Sequence, residues 1–412
     1  MTRYILLMFI FAVSTWPAVK TARNVSAAER QRALKSILHS THASFGEFDN
    51  AAALAPFLDR LSKLTPTTAI HILHLGDSHT ASDDWPNAMR KRLQARFGAG
   101  GPGFALAGHP YRGYRRFDVL GSSSSGWHTA GTVAAPEAAP GDGRNGLGGI
   151  SLSSNSPDQT ITLTTDAELI RVFYLRQPGG GSVQLSDDGM PVASIPADGE
   201  SGAAYYTHAA QPGTHRYTLR TLESAPVRIF GWVAERPAGL TYEAAGINGI
   251  QAPALLNWDP AIVADQLAQR DPALIVLAYG TNEAVNAGWT AEGYSRQFSQ
   301  VLQRFRQAAP WASILVIGPP DALFRARAGR FTTAHLSAVI EVQRAVAVRQ
   351  GCAFWDWRAR MGGAGAGREW LRAGLAQLDR LHLTSAGYEL VGELLTGDLM
   401  EQYRRFEAAK AE

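Results

Sequence analysis

"HILHLGDSHTASDD", His71 to Asp84, starts as an apolar run and ends in a polar turn. Ile70 to Leu75 has the length and β-rich composition of a short buried strand. Gly76 permits a tight backbone path after it. Asp83 or Asp84 is placed to cap a following helix, in which Trp85, Met89, Leu93 and Phe97 recur every four residues on one face. Strand, turn and helix in this order form the first unit of an α/β sheet. Within the turn, Ser78 reads equally well as a helix cap or as an exposed nucleophile, and "GDS" alone does not decide between them.

The same punctuation returns in the second half of the chain. "PALIVLAYG", "ASILVIGPP" and "CAFWDW" read as further buried strands. Asp259-Pro260 begins one helix, and Thr290 caps another whose apolar face is Tyr294, Phe298, Val301, Leu302 and Phe305. Thr384 caps a last helix bearing Tyr388, Val391, Leu395 and Leu399 on one side. Between about Tyr114 and Arg236 the helical period disappears. Runs such as "QTITLTT", "LIRVFYLR", "GSVQLSDD" and "PVRIFGWV" alternate with turn residues instead, which predicts a β-sandwich inserted into the α/β unit. The α/β rhythm resumes after "TYEAAGINGIQAP". The expected division is a signal segment over 1–27, a first α/β part over 28–113, the insert over 114–236 and a second α/β part over 237–412.

Composition bounds the function. Of 412 residues, 45% are hydrophobic and 18% charged, as in a globular protein rather than a disordered one. Arg3, an apolar run from Tyr4 to Val13 and small residues after it have the pattern of a secretory signal, too short to span a bilayer comfortably. The net charge of +3 includes Arg3, Lys20 and Arg23; cleavage after Ala27 leaves 36 basic against 36 acidic residues, so the charge gives no reason to expect a nucleic-acid partner. Cys352 is the only cysteine, which excludes an intrachain disulfide and a thiolate metal cluster, and it reads as a small buried hydrophobe.

Ligands of open α/β sheets collect beyond the carboxyl ends of the strands. Three loops there carry reactive side chains: Gly76-Asp77-Ser78, Gly280-Thr281-Asn282-Glu283 and Asp379-Arg380-Leu381-His382. If the last folds as one tight turn, His382 accepts the proton of Ser78 while Asp379 holds the other ring nitrogen. Asn282 is then a fixed amide donor for a developing oxyanion, and Gly246 in "GINGI" a backbone N–H with no side chain in the way. Asp77 is expected to brace the turn, and His71, His74 and His79 give no convincing metal geometry. Trp355, Trp357 and Trp370 read either as a sugar platform or as core.

"GDSH" around Ser78, "GING" with Gly246, "GTNE" with Asn282 and "DRLH" with Asp379 and His382 resemble, in order, the motif blocks of the SGNH, or GDSL-like, hydrolases. The resemblance implies a three-layer α/β/α enzyme with a central parallel sheet. It also implies Ser78 as nucleophile and oxyanion donor, Gly246 and Asn282 as further donors, and Asp379 and His382 as acid and base. His79 departs from the leucine more usual after "GDS". "LGDSHTA", "GINGI", "FWDWRARMGG" and "LHLTSAGY" are similar to the periplasmic peptidoglycan O-acetylesterases, whose SGNH domain is interrupted by a carbohydrate-binding-module-like β-sandwich. The activity so implied is removal of acetyl groups from the C6 hydroxyl of N-acetylmuramic acid, in the periplasm, with no metal or organic cofactor. The membrane is met only through the signal or an uncleaved anchor. Transfer of the acetyl group to a glycan, another acetylated polysaccharide as substrate, and a non-catalytic wall-binding protein are the alternatives.

Overall fold

The computed structural model describes residues 25–132, 141–286, 288–322, 324–325, 331–332 and 334–411. The expected signal segment lies almost wholly outside them. Among the described residues no helix is long and apolar enough to cross a membrane.

The central sheet has six strands in the order Phe48–Asp49, Ala353–Trp355, Ser313–Ile317, Pro272–Ala278, Ala69–Gly76, Gly239–Gly246. Five run parallel, and the two-residue strand Phe48–Asp49 adds an antiparallel edge. Side chains alternate between two cores, as the pleat requires. Leu73, Leu75, Ile275 and Leu277 face one side with the apolar stripes of helices Pro260–Arg270, Ala291–Ala308 and Ala334–Arg349. Ile70, Ile72, Leu274 and Val276 face the other, with helices Ala55–Ser62, Asp84–Phe97 and Ser385–Ala411. The result is an α/β/α sandwich. Asp259 and Thr290 cap their helices as expected, accepting from Ala261 and Ile262 N–H and from Gly293 N–H respectively.

Two features differ from the sequence reading. Asp83 sits at φ 58° and makes no side-chain cap; it is fully buried and takes a bidentate ion pair from Arg90 at 2.8 and 3.2 Å, and the N–H of Phe117 at 2.8 Å. The segment Gly239–Gly246, which precedes the point where the α/β rhythm was expected to resume, is a fully buried strand of the central sheet. It was hidden because Thr241 and Glu243 break its apolar run. Glu243 is buried against Arg270, whose Nε lies 3.2 Å from both of its carboxylate oxygens, and the same guanidinium meets Glu235 and His71 Nδ1.

Residues from Gly103 to Glu235 supply two antiparallel sheets. One holds Leu120–Ser123, Thr160–Asp166, Ser182–Asp187, Met190–Pro196 and Thr214–Thr221; the other holds His128–Gly131, Ile150–Ser154, Leu169–Arg176, Gly202–Ala209 and Val227–Glu235. Ile161, Leu185, Tyr217 and Leu219 of the first share a core with Ile170, Val172, Ile229 and Trp232 of the second. Phe173, Leu175, Phe230 and Val233 on the opposite face of the second sheet join the core of the α/β unit. Strand Gly103–Leu106, which precedes the expected insert, also pairs with Val227–Glu235.

Candidate active site

Gly246, Gly76 and Ala278 lie side by side in the sheet register, so three strands release their chains at the same edge. At Gly76 a Cβ would lie 2.1 Å from Thr80 Oγ1 and 2.9 Å from Ala278 O, which is why the turn needs glycine. The chain then enters a single helical turn, Ser78–Ala81. Asp77 caps it by accepting from His79 N–H at 2.9 Å, leaving Ser78 at its first position with the hydroxyl directed outward.

That hydroxyl meets a residue 304 positions away. Ser78 Oγ is 2.9 Å from His382 Nε2, and His382 Nδ1 is 2.7 Å from Asp379 Oδ2. The other carboxylate oxygen, Asp379 Oδ1, accepts the N–H groups of Leu381 and His382 at 3.0 Å each. Arg380 takes the left-handed conformation, φ 63°, that closes this turn. Burial opposes ionisation of Asp379, but its hydrogen bond to His382, the charge of that ring and the two backbone amides outweigh it and hold the carboxyl below its usual value. An ionised carboxylate on Nδ1 leaves the Nε2 lone pair facing Ser78, as a general base requires.

Asn282 and Gly246 stand at the same strand ends but in different settings. Asn282 Nδ2 donates to Ile250 O at 2.9 Å, and its contact with Asp77 Oδ2 is long, 3.5 Å. Gly246 is buried, and its carbonyl accepts the Tyr111 hydroxyl at 2.6 Å. A Cβ there would fall 2.2 Å from Ala81 N, so this glycine is required for close packing against the turn that carries Ser78. The exposed glycine of "GINGI" is Gly249, at φ 75°.

Other residues bind these loops together. Glu283 is buried, accepts Ala252 N–H at 2.8 Å, and is pushed up to about 7 by burial, against the pull of that amide. Asp77 is likewise pushed up to about 7 by burial, against the His79 N–H and the His382 charge. The histidines have separate partners: His71 faces Thr241 and Arg270, His74 faces Tyr242 and Thr80, and His79 Nδ1 lies 2.7 Å from the Tyr388 hydroxyl. The His79 ring also packs 5.2 Å from that of His382, a neighbour that sequence spacing does not reveal. Trp355, Trp357 and Trp370 are all buried and form core, so they offer no sugar platform. Cys352 is buried too, and burial pushes its thiol up to about 11.

Comparison with known proteins agrees with this geometry. Residues 208–390 match the GDSL-like Lipase/Acylhydrolase family, a span that holds Gly246, Asn282, Asp379 and His382 and begins after Ser78. A peptidoglycan O-acetylesterase of solved structure is similar over 87% of this chain and 99% of its own, with 29% identity and a TM-score of 0.74. A family two carbohydrate esterase from Clostridium thermocellum is far more distant, 14% identical over 63% of this chain and 95% of its own, with a TM-score of 0.31. No curated protein matches the chain. The ordered motif blocks, the α/β/α fold and the similarity to the solved O-acetylesterase together make the chain an esterase with the SGNH hydrolase fold, similar over residues 208–390 to the GDSL-like Lipase/Acylhydrolase family.

Proposed function

We propose that this esterase removes O-acetyl groups from peptidoglycan, at the C6 hydroxyl of N-acetylmuramic acid. The observation that carries the chemistry is the unbroken chain from Ser78 Oγ through His382 to Asp379, at 2.9 and 2.7 Å. Similarity to the O-acetylesterase over nearly its whole length supports the substrate.

His382 Nε2 takes the Ser78 proton as Oγ attacks the acetyl carbonyl. The tetrahedral intermediate expels the sugar alkoxide, which receives that proton from His382. His382 then deprotonates water, whose oxygen attacks the acetyl-serine; acetate leaves and Ser78 Oγ is reprotonated. Asp379 holds the tautomer and supports the imidazolium. The oxyanion is held by Ser78 N–H and by the Asn282 N–H whose bond to Asp77 is long; of the "GINGI" turn, the exposed Gly249 is a better backbone donor than the enclosed Gly246. The signal-like first residues export the chain to the periplasm, and the two-sheet unit stands where the resemblance implies a carbohydrate-binding-module-like insert.

Acetate release from O-acetylated peptidoglycan by wild type and Ser78→Ala tests this reading. Equal turnover by the two would remove Ser78 from the mechanism. Release that needs a glycan acceptor would favour acetyl transfer, and release from xylan alone would move the substrate.

A further inference from the structure

The segment His109–Phe117, "HPYRGYRRF", joins strand Gly103–Leu106 to strand Leu120–Ser123, and it is fastened to the active-site loops at several points. Tyr111 donates its hydroxyl to Gly246 O at 2.6 Å. Arg115 Nε donates to Ser82 O at 2.7 Å, at the end of the turn that Ser78 begins, and Phe117 N–H donates to Asp83 Oδ2 at 2.8 Å. Gly113, at φ 99°, packs so closely on the "GINGI" turn that a Cβ would lie 3.0 Å from Asn248 Nδ2. Two residues further along that turn, Ile250 O receives the Asn282 amide. The segment is therefore a wall of the site, held to both the nucleophile turn and the turn beside Asn282.

Arg115 and Arg116 of this wall are paired with Asp84 and with Asp118, which leaves Arg112. Arg112, between Gly113 and the buried Tyr111, is exposed and has no hydrogen bond or ion pair among the described residues. Its anchored neighbours hold its backbone, whereas its guanidinium has no partner among the described residues. Beside it, the Arg115 guanidinium covers the ring of Phe117, which is 51% exposed. Ester hydrolysis through Ser78 and His382 does not call for a guanidinium at this place. A guanidinium carried by this wall suits a planar anion, because its fork of N–H donors matches a carboxylate bidentately.

We propose that Arg112 is a specificity residue that recognises a carboxylate on the acetylated sugar, so that the enzyme selects anionic over neutral O-acetylated saccharides. This inference rests on the acetylesterase reading and names the substrate class of the same site. N-acetylmuramic acid differs from N-acetylglucosamine by a lactyl ether that ends in a carboxylate, and the two 6-O-acetyl sugars form a matched pair of probes.

The experiment measures kcat/KM for acetate release from both sugars with wild type, Arg112→Ala, Arg112→Lys and Ser78→Ala, after circular dichroism has shown that each variant is folded. Wild type is expected to prefer the acid. Arg112→Ala should lose roughly three- to tenfold on the acid, mostly in KM, with the neutral sugar unchanged, since a partly exposed charge pair contributes modestly. Arg112→Lys should recover part of the loss. An equal loss on both sugars, or no loss on either, overturns the assignment while Ser78-dependent release leaves the esterase reading standing. No release by wild type from either sugar overturns both.

Discussion

The hydroxyl of Tyr388 lies 2.7 Å from Nδ1 of His79, joining the turn that begins with Ser78 to the helix that follows His382. Both residues are buried, and burial drives the His79 ring well below the ordinary histidine value, with the neighbouring His382 charge acting in the same sense. A neutral ring therefore packs beside His382. The two halves of the catalytic chain are thus tied by a second link that does not involve the serine hydroxyl.

Tyr388→Phe removes that link and leaves Nδ1 of His79 without a partner in a buried place, at a cost of roughly 1–3 kcal/mol. The variant is expected to lose turnover more than substrate affinity, because what shifts is the relation of Ser78 to His382. Steady-state kinetics on an acetyl ester read this directly. A fall in melting temperature with unchanged kcat would make the pair purely structural.

Asp379→Asn keeps the turn, since an amide oxygen still accepts the N–H groups of Leu381 and His382, but removes the charge that fixes the His382 tautomer. In a serine protease triad the corresponding change costs about 10⁴ in kcat. A loss of roughly a hundredfold or more in kcat is expected here, with the acylation burst slowed as well. Near-normal turnover would mean that His382 works without this carboxylate.

Asp77 gives stability a signature in pH. Burial raises its carboxyl to about 7, whereas the unfolded chain releases that proton near the ordinary aspartate value of 3.8. Between these values the unfolded state binds fewer protons than the folded one, so Asp77 lowers stability as pH rises through the window, and the penalty is complete above it. Asp77→Asn retains a side-chain oxygen for His79 N–H and cannot ionise. Its melting temperature relative to wild type should therefore climb between pH 4.5 and 7.5 and then level off. A difference that does not vary with pH would refute the raised carboxyl.

Gly246→Ala places a methyl carbon 2.2 Å from Ala81 N, against backbone that has no rotamer to yield. Overpacking of this kind costs typically 1–3 kcal/mol, and the movement it forces is in the turn that begins with Ser78. Both melting temperature and turnover should fall. Unchanged stability, measured by denaturant unfolding, would show that the strand end is free to retreat.

Much of this was readable in the sequence where one physical signal dominated. Asp259-Pro260 and Thr290 act as helix starts because nothing competes for their side chains. Three of the four motif blocks fall at strand ends because a parallel sheet places its turns there, whereas "DRLH", expected at such an end too, lies in the turn between helices Ala366–Ala373 and Ser385–Ala411. Long-range pairing hid the rest. Asp83 has the composition of a cap, but Arg90, which needs a partner once buried, draws it inward. Glu243 interrupts what would be an apolar strand because Arg270 meets it from the end of helix Pro260–Arg270. Trp357 lies near sugar-friendly glycines, yet its ring packs 5.1 Å from that of Trp85, a contact no local spacing announces.

The Arg270 cluster bears on how separable the parts of this protein are. Glu235 ends the last strand of the two-sheet unit, Glu243 and His71 sit on adjacent strands of the central sheet, and Arg270 closes a helix beyond it. Removing one member of a buried ion pair costs about 3–5 kcal/mol. The two-sheet unit therefore cannot be exchanged as a cassette cut at its chain ends: a graft that omits Glu235 unbalances the charge under the sheet carrying Ser78. Insert and hydrolase are held to change together, by electroneutrality as much as by packing.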